Sequence, residues 1–92
     1  MKLNIVTKGL EHSESLDEMI KSKLHKIERH FGEDLQVNWV CKIEGHLHWS
    51  EVHLIAPHHK DFYTKVEADT MYKTIDIAIS KLIGQIEHEH HG

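Results

Sequence analysis

The chain has 92 residues, 39% of them hydrophobic and 28% charged, with 11 Lys and Arg against 15 Asp and Glu for a formal net charge of −4. That length holds one domain and not two, and the composition excludes a disordered or fibrous chain. The acidic balance lacks the overall positive field of a dedicated nucleic-acid binder, so any basic surface has to be local.

Leu3 and Ile5 alternate with Lys2 and Asn4, the period of a strand with one buried face, and Gly9 marks its exit. Ser13 or Ser15 can cap a following helix, and Ser15 with Glu18 fits a capping box. Leu16, Met19, Ile20, Leu24, Ile27 and Phe31 form one apolar stripe before Gly32, which predicts a helix over residues 14–31. From Leu35 the period changes to two. Val37, Trp39, Cys41 and Ile43 share one face of a second strand, and Glu44-Gly45-His46 is a turn. A third strand over 48–56 puts Val52, Leu54 and Ala56 on one face and Trp49, Glu51, His53 and Ile55 on the other. Pro57-His58-His59 turns the chain into a fourth strand over 60–67, with Phe62, Thr64 and Val66 on one side. Thr70 or Asp69 can cap a second helix carrying Met71, Ile75, Ala78, Ile79, Leu82 and Ile86. Residues 87–92 lack such a stripe and are expected to fray. The order β-α-β-β-β-α predicts a single two-layer α+β domain over 1–92, a four-stranded sheet with both helices on one face. The other face is left open.

The residues do not assemble a catalytic motif. Cys41, the single thiol, is in phase with the core face of a central strand and reads as structural. The serines lack a nucleophile elbow, and there is no phosphate-binding glycine loop. Histidine is abundant, at 11 residues, but His46 and His48, His58 and His59, and His88, His90 and His91 have no helical zinc spacing. No cofactor or metal is expected. No apolar run reaches the ~18 residues of a membrane span and the start has no signal-peptide pattern, so the expected location is cytoplasmic.

The lysines are more informative. Lys26 and Arg29 share a face of the first helix that turns away from its stripe, with Lys21 and His25 beside it and Lys23 on the other flank. Lys73 and Lys81 flank the stripe of the second helix. Side by side, the two helices would bring these cations into a discontinuous patch able to meet phosphates. That reading requires a coherent electropositive strip. Trp49 and Tyr63 on the open sheet face are candidates for base stacking or for cross-strand packing. The same face, with Ile55, offers a surface for a homodimer.

Leu3-Asn4-Ile5, then Leu16, Lys23-Leu24, Lys26-Ile27-Glu28 and Phe31, then Met71-Tyr72, Ile75-Asp76, Ile79, Lys81-Leu82 and Gln85-Ile86 follow in order over nearly the whole chain. In this the chain resembles the bacterial ribosome hibernation promoting factors, also described as ribosome-associated inhibitors or sigma-54 modulation proteins. The resemblance implies a β-α-β-β-β-α domain that binds the 30S ribosomal subunit, or the 70S ribosome, in the mRNA and tRNA channel. Translation would be blocked by steric occlusion, mainly through 16S rRNA phosphate contacts. By position, Lys23, Lys26 and Lys81 match family lysines and Tyr72 a family tyrosine. With Arg29 and Lys73 they are the expected rRNA-binding set. The chain departs from the family pattern at Thr70, where the family has aspartate, at Gly84, where it has arginine, and at His88 and His90, where it has lysines. Glu87 and Glu89 add negative charge to the same end. These departures leave a second reading open, in which the fold is kept and the partner is a protein.

Overall fold

The computed structural model describes residues 1–91, apart from the side chains of His59, His90 and His91. Strand β1 (Lys2–Lys8) leads into helix α1 (Glu14–Phe31), and strands β2 (Gln36–Glu44), β3 (Leu47–Ala56) and β4 (Lys60–Ala68) follow before helix α2 (Met71–His91). The sheet order is β1-β2-β3-β4. The β1/β2 pair is parallel, because α1 carries the chain back between them, and the two hairpins are antiparallel. Both helices cover one face of the sheet, as expected. Helical backbone in α2 continues past Glu87, where fraying is expected, as far as His91; Gly92 lies outside the described residues.

The ends of α1 show why the chain turns where it does. Ser13, in extended conformation, is the N-cap, and its Oγ accepts a hydrogen bond from the Leu16 backbone N–H at 3.2 Å. Ser15 is therefore inside the helix, and the capping box expected from Ser15 and Glu18 gives way to the other expected cap, two residues earlier. Gly32 has φ 84, and its N–H donates to the Glu28 carbonyl at 2.7 Å. Gly9 (φ +79) is required for a different reason, since a Cβ there would lie 2.3 Å from the Ile43 carbonyl oxygen. At the start of α2, Thr70 Oγ1 accepts from the Lys73 N–H at 3.2 Å, which settles the cap in favour of threonine.

The period-two strands deliver Val37, Trp39, Cys41, Val52, Leu54, Phe62 and Val66 to the covered face, where they meet Leu16, Ile20, Leu24 and Ile27 of α1 and Ile75, Ala78 and Leu82 of α2. Trp39 is fully buried, and burying its indole requires a partner for the ring N–H. Nε1 donates to Ser50 Oγ at 3.1 Å, Ser50 pairs with Thr74 Oγ1 at 2.8 Å, and the Thr74 hydroxyl donates to the Met71 carbonyl at 2.7 Å. This hydroxyl relay ties β2 and β3 to the first turn of α2. Net, each such bond contributes about 0.5–1.5 kcal/mol, but each is more costly to leave unmade. Cys41 is buried on the same face, and desolvation, with a smaller contribution from the Asp17 carboxylate, pushes its thiol up to about 11. It is a packing residue.

Candidate nucleic-acid interface

Helix α1 separates its charges along its length. Glu14, Asp17 and Glu18 occupy its first turns, and Lys21, Lys23, Lys26 and Arg29 follow, an order that complements the helix dipole. The one acid in the second half, Glu28, is engaged elsewhere. Its Oε2 lies 3.2 Å from the amino terminus and its Oε1 lies 3.5 Å from His25 Nδ1.

The two helices run side by side in the same sense: Lys23 meets Asp76, while Phe31 and Ile86 lie together around a cavity further along. Between them is a groove of about 370 Å³, lined by Ser22, Lys23 and Lys26 from α1 and Asp76, Ile79, Ser80 and Ile83 from α2. Lys23 Nζ is 2.7 Å from Asp76 Oδ1. Tyr72, one turn before Asp76 on the same flank of α2, is 58% exposed.

The remaining candidates are distributed differently. Lys73 is at the start of α2, where its Nζ lies 2.9 Å from Asp69 Oδ1, and that ammonium holds the Asp69 carboxyl below its ordinary range. Lys81 is one turn before Gln85, whose side-chain amide donates to the Tyr63 carbonyl at 2.9 Å. That contact puts this flank of α2 over β4, away from the groove. Arg29 is exposed in the last turn of α1. Among the described residues, Lys26, Arg29 and Lys81 make no ion pair. The geometry therefore brings Lys23 and Lys26 to one groove, with Tyr72 exposed one turn before Asp76 and Arg29 further along α1, and leaves Lys73 and Lys81 apart. The strip expected across both helices is interrupted: two of its lysines carry acid partners and a third is on the far flank. Gly84, at the position where the resemblance calls for arginine, faces open space, so a larger side chain there meets no clash.

On the open face of the sheet, Trp49 is beneath the Lys65 ammonium, 5.0 Å from the ring centroid. The Tyr63 hydroxyl donates to Glu51, a bond that raises the phenol above its ordinary range. His53 and Asp61 pair at 3.3 Å, and Lys42 and Glu44 at 2.9 Å, which lowers the Glu44 carboxyl. Cross-strand pairing thus engages both aromatic candidates. The face considered for a homodimer exposes Val6, Leu47 and Tyr63 among these pairs.

A cavity of about 320 Å³ lies near the ends of both helices, with Phe31, Pro57, Phe62 and Ile86 as its apolar lining and His30, His58, Lys60 and Glu89 around it. Among the described residues no three His, Cys, Asp or Glu side chains converge to hold a metal, and no helix is long and apolar enough to cross a membrane. The residues that sequence reasoning missed are Asp76 as the partner of Lys23, and Ser80 in the groove. Both depend on how α2 is set against α1, which spacing within one helix does not reveal.

Similar proteins place this geometry in context. The ribosome hibernation promoting factor of Escherichia coli (strain K12) is 34% identical over 86 residues, covering 94% of this chain and 90% of the relative. The factor of the same name from Salmonella typhimurium is also 34% identical over the same share of both chains. Among solved structures, a ribosomal subunit interface protein from Coxiella burnetii superposes with a TM-score of 0.87 at 23% identity, covering 100% of both chains. The N-terminal domain of protein Y from Thermus thermophilus gives 0.85 at 20% identity, covering 96% of this chain and 98% of that one. At those identities the structural likeness is one of fold. The family described as sigma 54 modulation protein / S30EA ribosomal protein matches residues 3–91, and the chain belongs to that family.

Proposed function

We propose that this protein binds the small ribosomal subunit near the mRNA and tRNA channel and reversibly inhibits translation by occupying that space. The observation that carries the reading is the near full-length similarity to ribosome hibernation promoting factors, at 34% identity. The second half of α1 supplies the physical means. Lys23, Lys26 and Arg29 would meet 16S rRNA phosphates, with Tyr72, Lys73 and Lys81 making outlying contacts. The ion pairs on Lys23 and Lys73 do not prevent this, because exposed pairs contribute only about 0–1 kcal/mol and a phosphate can replace the carboxylate. Lysine serves here as a point charge that positions the protein without reading bases. No bond is made or broken.

The formal charge of −4 sets the conditions for binding. Attraction has to come from the local cations, against a molecule that is anionic as a whole. Binding should therefore weaken as salt rises. Co-sedimentation with purified 30S subunits and 70S ribosomes, across salt and from pH 6.5 to 7.5, tests this. Retention that falls with salt supports the reading, and a protein that stays in the supernatant at low salt throughout overturns it. The acid partners of Lys23 and Lys73 favour a second reading, a regulator that docks on a protein through the same fold. It would show saturable binding to that protein, little affected by changes at Lys23, Lys26, Arg29 and Lys81.

A further inference from the structure

Lys23 and Asp76 face each other across the α1/α2 groove at 2.7 Å, and both side chains are about half exposed, at 43% and 57%. Asp76 is the single acid among the residues that line this groove; the others are Ser22, Lys23, Lys26, Ser80 and two isoleucines. A phosphate oxygen that reaches Lys23 must take the place Asp76 Oδ1 holds. The exchange is feasible because the pair is exposed and weak. The displaced carboxylate cannot diffuse away, however. It stays tethered to α2 within reach of the same ammonium, at a high effective concentration. Resting on the ribosomal reading above, we propose that Asp76 is a release element, an intramolecular competitor for the phosphate that Lys23 would hold.

Asp76 acts in this scheme on departure more than on arrival. Each time a bound phosphate loosens, the carboxylate recaptures Lys23 and the contact is lost, which raises the dissociation rate. Most affinity differences between related complexes lie in that rate. Lys26 lines the same groove without an acid partner among the described residues, so it holds phosphate without this competition. The groove thus combines one unopposed cation with one opposed cation, and occupancy stays reversible.

The test uses the full chain, purified 30S subunits and poly(U) as an unspecific RNA, with dissociation followed after dilution at several salt concentrations. Asp76→Asn removes the charge and keeps the shape; Asp76→Glu keeps the charge. D76N should leave both ligands about two- to fivefold more slowly, and its binding should depend more steeply on salt, by at most about one phosphate contact. D76E should behave as wild type. K23Q should slow nothing by itself and should cancel the gain when combined with D76N. A merely structural role for Asp76 would move neither the salt slope nor the dependence on Lys23. Wild-type binding with a D76N rate that is unchanged or faster, or a D76N gain that survives K23Q, overturns the role of Asp76 alone. Failure of the wild-type chain to bind subunits overturns the ribosomal reading, and this inference with it.

Discussion

The helical surface and the open face of the sheet both expose lysines, yet they arrange opposite charges differently. On the sheet, Lys65 is opposite Glu51, Lys42 pairs with Glu44 and His53 with Asp61, while at the β1 edge Lys8 is opposite Lys42 and Lys2 opposite Gln36. Over β2, β3 and β4 the antiparallel register sets these acids beside bases, and their local fields offset one another. Helix α1 carries a comparable set but separates it along its axis, acids first and bases after, as its dipole favours. Similar side chains on a helix and on a sheet thus give one surface that can attract a polyanion and one that is self-paired over β2, β3 and β4.

The largest expected effect sets these surfaces against each other directly. Changing Lys23, Lys26, Arg29 and Lys81 together to glutamine should weaken binding to 30S subunits by about 100-fold at low salt. Changing Lys2, Lys8, Lys42 and Lys65 to glutamine removes the same formal charge and should weaken it less than about threefold. Equal losses in a salt-dependent sedimentation assay would show that net charge, and not a localised site, governs binding.

A second comparison concerns the two faces of the sheet. Ser50→Ala strands the Trp39 indole N–H and breaks the link to Thr74 inside the core. It should cost about 1–3 kcal/mol, read as a fall in Tm of roughly 4–8 °C per kcal/mol. The buried Cys41 thiol adds a pH dependence of definite sign. Its pKa of about 11, against an ordinary thiol value of 9.0, means that the folded state keeps a proton the unfolded chain gives up. The associated stability is fully present below pH 9.0 and is lost as pH rises towards 11. Thermal melts across that range measure it, and the thiol should resist alkylation at about pH 8 until the protein is denatured. The smallest effect is expected on the outer face, where Tyr63→Phe removes the exposed bond to Glu51 and should leave the Tm nearly unchanged.

The elements were largely legible because their periods are unambiguous. The apolar stripe from Leu16 to Phe31 admits one helix, and the alternation from Val37 through Val66 admits strands whose covered faces follow from parity alone. The cap of α1 stays open between Ser13 and Ser15 in the sequence, because two serines two residues apart both satisfy a local rule, and backbone geometry selects Ser13. The site was less legible. Lys23 and Lys81 look alike on their helices, yet one meets Asp76 across a groove and the other is on the flank over β4. The Ser50–Thr74 contact spans 24 positions, so no local pattern announces it.

The two tryptophans are built into the molecule as separate optical reporters. Trp39 is sealed beneath α2 against a hydroxyl, and Trp49 is outside beneath an ammonium. Loss of the fold would change the emission of both indoles, and a ligand settling on the sheet would quench only the outer one. A partner seated along the helices would leave the spectrum of each unchanged.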